Sequence, residues 1–430
     1  MTSRPPATDP PRVLFAPGSS PRLSVRSRAA GELDPLAFLA RHESQPRFLH
    51  WRGNHAVAGA GVALRLEASG PRRFQEIRDQ ARAAAEHLTG EPWPRPRWQG
   101  AFTFETDQEG GPSAVFVLPR QQLLVEHGRS TLIEVGDTLA DRPAAADPGA
   151  RGSLAWEPQP AFETWATQVR EALHAVREGA ADKVVLARRV AATTPAPPPL
   201  PRVLAHLRAA APSSSVFLFE PTPSVAFIGA SPEVLVEATA DRVRTVALAG
   251  SRPRGRTPEE DHALERTLLA SSKDAWEQEL VAKFIRGVLE RRGSEWRMTH
   301  ERRILKLPNV QHLETSFESD PRPGEHVLDL ASLLHPTPAV AGYPAAAALP
   351  LIARLEERAR GAYAGATGWF DADGRGELAV TIRAATVVGR DVTAWAGCGI
   401  VNGSDPAEEW EESRTKLQLL VEAFDEEARA

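Results

Sequence analysis

The sequence has a single cysteine, Cys398, so no intrachain disulfide can form, which suits a reducing cytoplasm. Lysine is also scarce. Of the 51 basic residues only five are lysine: Lys183, Lys273, Lys283, Lys306 and Lys416. Arginine fills the generic surface role, and burial can neutralise a lysine but not an arginine, so each lysine is a candidate for a particular task. No run of 18 apolar residues occurs, because the Ala-rich stretch near 338–353 is broken by Pro344 and Pro350, and no membrane-spanning helix is expected. There is no excess of either charge. With 56 acidic residues and a net charge of −5, nothing favours a nucleic-acid or membrane partner. The start, MTSRPPATDPPR, lacks the apolar segment of a secretory leader, and residues 1–20 read as a disordered tail. What is present is ordinary for a soluble globular chain: 430 residues, 42% hydrophobic and 25% charged, enough for a large core.

Strand-like runs rich in apolar and β-branched residues occupy 62–68, 101–105, 114–119 and 131–135, with one helical segment at 71–89. ADRPAAADPGARGS (140–153) reads as a linker or a surface loop within one domain. Residues 160–178 form an amphipathic helix pattern with Phe162, Trp165, Val169, Ala172 and Val176 on one face and Gly179 as C-cap. ADKVVLARRV is a strand, followed by a helix near 201–210 and strands at 215–220, 224–229, 233–238 and 242–248. Thr257-Pro258-Glu259-Glu260 is a capping box that opens a long helix to about Arg292, and Asp405-Pro406-Ala407-Glu408 opens the last helix, to about Glu427. Strands are expected at 365–371, 377–388 and 391–397. Many strands joined by short turns, with a few long helices, indicate an α+β chain with antiparallel sheets.

Several residues could carry chemistry. Glu233 follows a turn in FIGASPEVLVEA, where a buried carboxyl is either paired or protonated, and a protonated one can act as an acid at neutral pH. Asp274 and Glu277 are three apart, as are Glu409 and Glu412, so each pair shares a helix face; together they would make an oxygen-rich Mg²⁺ site, or else two solvated faces. Lys183 shares a strand face with Val185 and Ala187; desolvation there would make it a candidate base, and an edge position a snorkelling lysine. LAGSRPRG reads as a strand end and turn whose Gly250 and Ser251 N–H groups could bind a carboxylate. GCGI (397–400) would let a ligand approach the backbone, or form a bulge. Arg383, inside an apolar strand, needs an anionic partner from the protein or a ligand. His312 and Tyr363 are weaker candidates.

Taken in order, DKVVLARR, GASPEVL, LAGSRPRG, SSKDAWEQEL, VQHL, HPTPAVAGYP, GAYAGATGW, TIRAA, GCGIV and EEWEESRTKL resemble the chorismate-utilising enzymes, and within them the isochorismate synthases, over about 155–425. The N-terminal part resembles the family loosely, as in QGAFTFE. The resemblance implies an α/β fold of two packed antiparallel sheets with helices outside, with 21–150 a variable N-terminal part and 155–427 the chorismate-binding catalytic region. It implies a cytoplasmic, Mg²⁺-dependent isomerase serving menaquinone or siderophore assembly. Lys183 matches the base that activates water for attack at C2, and Glu233 the acid that protonates the departing C4 hydroxyl. Glu277 and Glu412 match Mg²⁺ ligands, with Asp274 and Glu409 completing the cage. Gly250, Ser251, Ala339, Tyr363, Arg383, Gly397 and Lys416 match substrate-contacting positions, and His312 a pocket histidine. Anthranilate synthase, which uses ammonia, carries glutamine where Lys183 stands, so water is the implied nucleophile and no amidotransferase subunit is expected. Salicylate synthase, which goes on to eliminate pyruvate, keeps both catalytic residues; the HPTPA form at 335–339 favours isochorismate. A catalytically inactive relative would be marked by loss of Lys183, Glu233 or a metal acid, and none is lost.

Overall fold

The computed structural model describes residues 14–15, 22–90, 93–107, 110–137, 139 and 154–429. The linker at 140–153 lies outside the described residues, as does the expected tail except Leu14–Phe15, which form a short strand against Leu64–Ala68. Among the described residues the strands form a 10-stranded and a 13-stranded sheet, and the one parallel pair joins Leu23–Gly31 to Leu88–Thr89. This is the mixed fold of large antiparallel sheets and helices expected from the sequence. Residues 22–135 do not build a sheet of their own. Arg47–Arg52 pairs with Ser215–Thr222 in the larger sheet, and Trp98–Phe102 pairs with Ala366–Phe370 in the smaller one. No helix among the described residues is long and apolar enough to cross a membrane.

Two strand pairs cross from one sheet to the other. Val225–Ser231 pairs with Ala384–Val388 in the larger sheet, while the continuations Val234–Ala238 and Gly376–Val380 pair in the smaller one. The crossing points are Pro232-Glu233 and Thr381-Ile382-Arg383. The single strand expected over 377–388 is therefore two strands. Arg383, at φ +52°, turns the chain between them, and its carbonyl accepts from Ala230 N–H at 3.1 Å. Val380 N–H donates to Glu233 O at 3.0 Å, so the two crossings are tied together.

The long helix expected to Arg292 is also two helices, Pro258–Ala270 and Ser272–Arg292. Ser271 ends the first in an extended conformation and caps the second, its hydroxyl accepting from Asp274 N–H. At Thr257 half of the capping box forms: its hydroxyl accepts from Glu260 N–H, while the Glu260 carboxylate reaches Arg256 N–H instead. Asp405 caps the last helix, Pro406–Arg429, by accepting from Ala407 and Glu408 N–H. Gly179, at φ +75°, follows Phe162–Arg177 as expected of a C-cap region.

Phe102, Phe116, Phe317 and Phe370 of the smaller sheet lie in one apolar cluster with Leu124, Ile133 and Leu186 of the larger one, each buried ring contributing about 1.5–3 kcal/mol. The outer face of the larger sheet is covered by Leu200–Ala210 and Pro406–Arg429 through Leu204, Leu207, Leu420 and Phe424. That packing fixes the last helix, and with it Glu409, Glu412 and Lys416.

Candidate active site

The crossing strands open a cavity of about 570 Å³, counting its mouth. It is lined by Glu233, Gly250, Ser251, Glu277, His312, Ala339, Tyr363, Arg383, Gly397 and Lys416, all singled out from the sequence. Lys183, Asp274, Glu409 and Glu412 stand behind this lining.

Glu233 is 2% exposed. Its carboxyl takes a long contact of 3.4 Å from the Thr337 hydroxyl, from the HPTPA block. Burial pushes its pKa up to about 8, against the opposing pull of Lys183, the Thr337 hydroxyl and Arg383. At neutral pH this side chain therefore holds a proton. The backbone is fixed by Ser231, whose hydroxyl accepts from Glu233 N–H and donates to Val380 O.

Lys183 is fully buried at the start of the strand Lys183–Thr193, which is covered on both faces there. Its Nζ lies 2.9 Å from Glu277 Oε1, outside hydrogen-bond geometry, and has no hydrogen-bond acceptor. The strand Asp391–Ile400 runs beside it, placing Gly399 opposite Val185 and Gly397 opposite Ala187. A Cβ at Gly399 would stand 2.2 Å from Glu277 Oε1 and 2.6 Å from Lys183 Cε. GCGI is thus a regular strand, neither bulge nor turn, in which the missing side chain of Gly399 makes room for this pair.

Each of the four acids singled out on the helices Ser272–Arg292 and Pro406–Arg429 has a basic neighbour, Lys183 in the case of Glu277. Glu412 pairs with Lys416 at 2.6 Å, Glu409 with Lys273 at 2.7 Å, and Asp274 with Arg252 at 2.7 Å. Ligand atoms of Glu409, Glu412 and Cys398 lie within 4.8 Å of one another, while Glu277 and Asp274 stand outside that group. Burial and the charge of Glu412 push the Glu409 carboxyl up; burial acts the same way on Glu412 but is outweighed by Lys416, so Glu412 stays ionised. Burial holds the Cys398 thiol well above its usual range, and its S–H donates to Glu409 O at 3.1 Å. A protonated thiol is no ligand, so the donors on offer are crowded carboxylate oxygens, which suit a hard divalent cation.

Arg383 is 6% exposed, and no carboxylate forms an ion pair with it among the described residues. Its NH2 group donates to His312 Nε2 at 3.0 Å. A guanidinium only donates, so the His312 proton sits on Nδ1, which lies 3.0 Å from Ser251 Oγ and 3.2 Å from Gly250 O. Burial and the Arg383 charge hold His312 well below its usual pKa, hence neutral. A buried cation whose contact partner is a neutral ring is costly unless an anion joins it. Tyr363 stacks on Trp395, with centroids 5.5 Å apart, and its hydroxyl would lie 3.1 Å from a Cβ at Gly397. LAGSRPRG departs from expectation. It is a continuous strand, Val243–Pro253, with a bulge at Gly250, φ +74°, rather than a turn.

Sequence reasoning missed Arg360 and Thr337. Arg360 is 3% exposed, donates to Val340 O and Val185 O, and pairs with Glu356. It braces the cavity wall. Its arginine-rich surroundings, ARLEERARG, gave no sign that one of them is interior.

The sequence model for the family described as "Chorismate binding enzyme" matches residues 16–145 and 133–425, and the chain belongs to that family. The salicylate biosynthesis isochorismate synthase of Pseudomonas aeruginosa is 32% identical over 435 residues, covering 94% of this chain and 90% of that protein. Isochorismate synthase EntC of Escherichia coli K12 is 39% identical over 243 residues, 56% of this chain and 62% of its own length. Among solved structures, the menaquinone-specific isochorismate synthase MenF of Escherichia coli superposes with a TM-score of 0.78 at 25% identity, covering 94% of this chain and 95% of that one.

Proposed function

We propose that this protein is an isochorismate synthase, converting chorismate to isochorismate with Mg²⁺. The observation that carries the reading is the pairing, around one cavity, of a carboxyl that keeps its proton at neutral pH, Glu233, with a fully buried lysine, Lys183, whose Nζ stands 2.9 Å from Glu277 Oε1. The names of the relatives support the same product: MenF is tied to menaquinone and the Pseudomonas protein to salicylate, and both are isochorismate synthases.

Lys183 takes a proton from water as the water oxygen bonds to C2 of the ring. The ring double bonds shift, and the C4–O bond breaks. Glu233 gives its proton to the departing hydroxyl, which leaves as water. Substrate and product are isomers, and proton exchange with solvent resets Lys183 and Glu233. Arg383 and Lys416 supply counter-charge for the dianionic substrate, with Tyr363 beside the Arg383 contact. Ser251 and His312 hold the guanidinium in place. Glu277 and Glu412, with Glu409 and Asp274 around them, would hold Mg²⁺, which when bound supplies positive charge for the ring carboxylate. Gly397 and Gly399 keep the floor of the cavity flat.

The test is product analysis. Purified protein is incubated with chorismate and Mg²⁺ and the products are separated by HPLC. Isochorismate without pyruvate is the expected outcome. Salicylate with stoichiometric pyruvate would mean that the site also carries out the elimination, and absence of turnover would overturn the assignment.

A further inference from the structure

A second pocket lies on the far side of the segment 335–364 and shares no lining residue with the cavity described above. It measures about 1340 Å³ counting its open mouth. Phe74 and Phe104, both buried, form its apolar wall with Leu349 and Ile352 of the helix Ala345–Leu355, while Glu105, Asp107, Glu356, Glu357 and Arg358 bring charge to the rest of the lining. Of the two arginines in the lining, Arg358 is exposed and Arg73 is buried against the apolar wall at 3% exposure.

Arg73 lies over the Phe74 ring, 5.2 Å from its centroid, but lacks a carboxylate partner. Its NH1 and NH2 groups reach only backbone carbonyls, Gly70 O at 3.4 Å and Thr103 O at 3.2 Å, and its Nε is buried without a hydrogen bond. Among the described residues no carboxylate stands at ion-pair distance. Of the two acids whose fields reach it, Glu105 uses both oxygens on Arg360 N–H at 2.7 Å and Gly361 N–H at 3.0 Å, and Asp107 is exposed at the rim. Burial lowers the Arg73 pKa to about 10, so the charge persists at neutral pH. The neighbouring His335 adds none: its Nε2 donates to Ala364 O at 3.2 Å, and burial holds its pKa to about 3. A desolvated guanidinium without an ion-pair partner, beside the apolar wall of a pocket, is the complement of an amphipathic anion.

We propose that this pocket is a second ligand site, taking a small organic carboxylate whose charged group meets Arg73 and whose apolar body packs between Phe74, Phe104 and Ile352. The site is independent of the chemistry assigned to the chorismate cavity.

Isothermal titration with 3-phenylpropionate as the probe tests it, with 3-phenylpropionamide as the uncharged control. Arg383→Met removes anion binding in the other cavity, and Arg73→Met removes it here. The acid is expected to bind the wild type and Arg383→Met alike, and to bind Arg73→Met at least about tenfold more weakly, as should the amide on the wild type. Ala353→Trp, on the exposed face of the helix that lines the pocket, leaves the guanidinium intact and should block binding equally; it decides the matter if Arg73→Met melts early. Equal binding of acid and amide, binding that survives Arg73→Met or Ala353→Trp, binding lost in Arg383→Met, or no heat at millimolar probe would each overturn the proposal.

Discussion

Glu233 and Glu377 stand at opposite ends of one strand pair, Val234–Ala238 with Gly376–Val380, and are buried to a similar degree, 2% and 6% exposed. Their charges are opposite in kind. Glu377 receives Arg52 Nε at 2.6 Å, Arg52 NH2 at 2.7 Å and His50 Nε2 at 2.8 Å. Burial works to raise its pKa, but these contacts outweigh it, and the carboxyl is held well below the usual range. Glu233 has one distant hydroxyl, and its cations act without contact, so burial wins and the proton stays. Burial alone therefore does not decide the state of a carboxyl. The number of donors within hydrogen-bond reach does. One end of the strand pair is a structural ion cluster, and the other is a carboxyl that keeps its proton.

The largest effect expected from breaking this contrast is on turnover. Glu233→Gln should lower kcat by about 10²–10⁴ without lowering the urea midpoint at neutral pH, because it removes an acid and not an ion pair. Lys183→Ala should cost as much; near-normal turnover in either variant would remove that residue from the chemistry. Glu377→Gln should behave in the reverse way, keeping its kcat and losing about 1–3 kcal/mol of stability, because Arg52 keeps Glu237 but it and His50 lose the Glu377 charge. A large loss of kcat at an unchanged midpoint would mean that the two ends are not separate in function. Smaller still, Glu412→Gln should weaken the Mg²⁺ dependence of turnover by about tenfold, and an unchanged Mg²⁺ titration would exclude it as a ligand.

The gentlest test is pH. Glu233 keeps its proton in the folded state to about 8 but loses it near 4.3 when unfolded, so between these values the folded protein binds more protons and stability falls as pH rises. One group can contribute at most about 1.4 kcal/mol per pH unit, and Glu233→Gln should flatten that slope. Glu377 has the opposite sign. Its stabilisation is present above the unfolded carboxyl pKa of about 4.3 and is lost as pH falls below it, so Glu377→Gln should blunt acid unfolding and leave the slope between pH 5 and 8 alone. Urea midpoints of both variants across pH 3–9 would show the two slopes separately, and parallel wild-type and variant curves would contradict both assignments.

Much of this was legible locally. The strand Lys183–Thr193 announces itself by its apolar run, and the last helix by the Asp405-Pro406 start, because propensity and capping act over a few residues. Where the reading failed, the deciding contacts were distant. The break at Ser271 looks like continuous helix in sequence, since a serine at a helix boundary resembles any serine inside one. The strand break at Arg383 is set by pairing with two different sheets, 225–231 on one side and 234–238 on the other. The interior position of Arg360 depends on carbonyls at Val185 and Val340.

The sequence by itself determined which side chains were available: five lysines, the paired acids on two helices, one glutamate after a strand break, and the ordered blocks that mark the family. Only the tertiary structure decided their states. Whether Glu233 keeps a proton, whether Lys183 has an acceptor and whether Arg383 finds an anion depend on which atoms lie within about 3 Å, and those atoms come from strands and helices far apart in the chain. Desolvation and contact pairing are properties of the packed interior, and the residue order does not state them until the sheets have crossed.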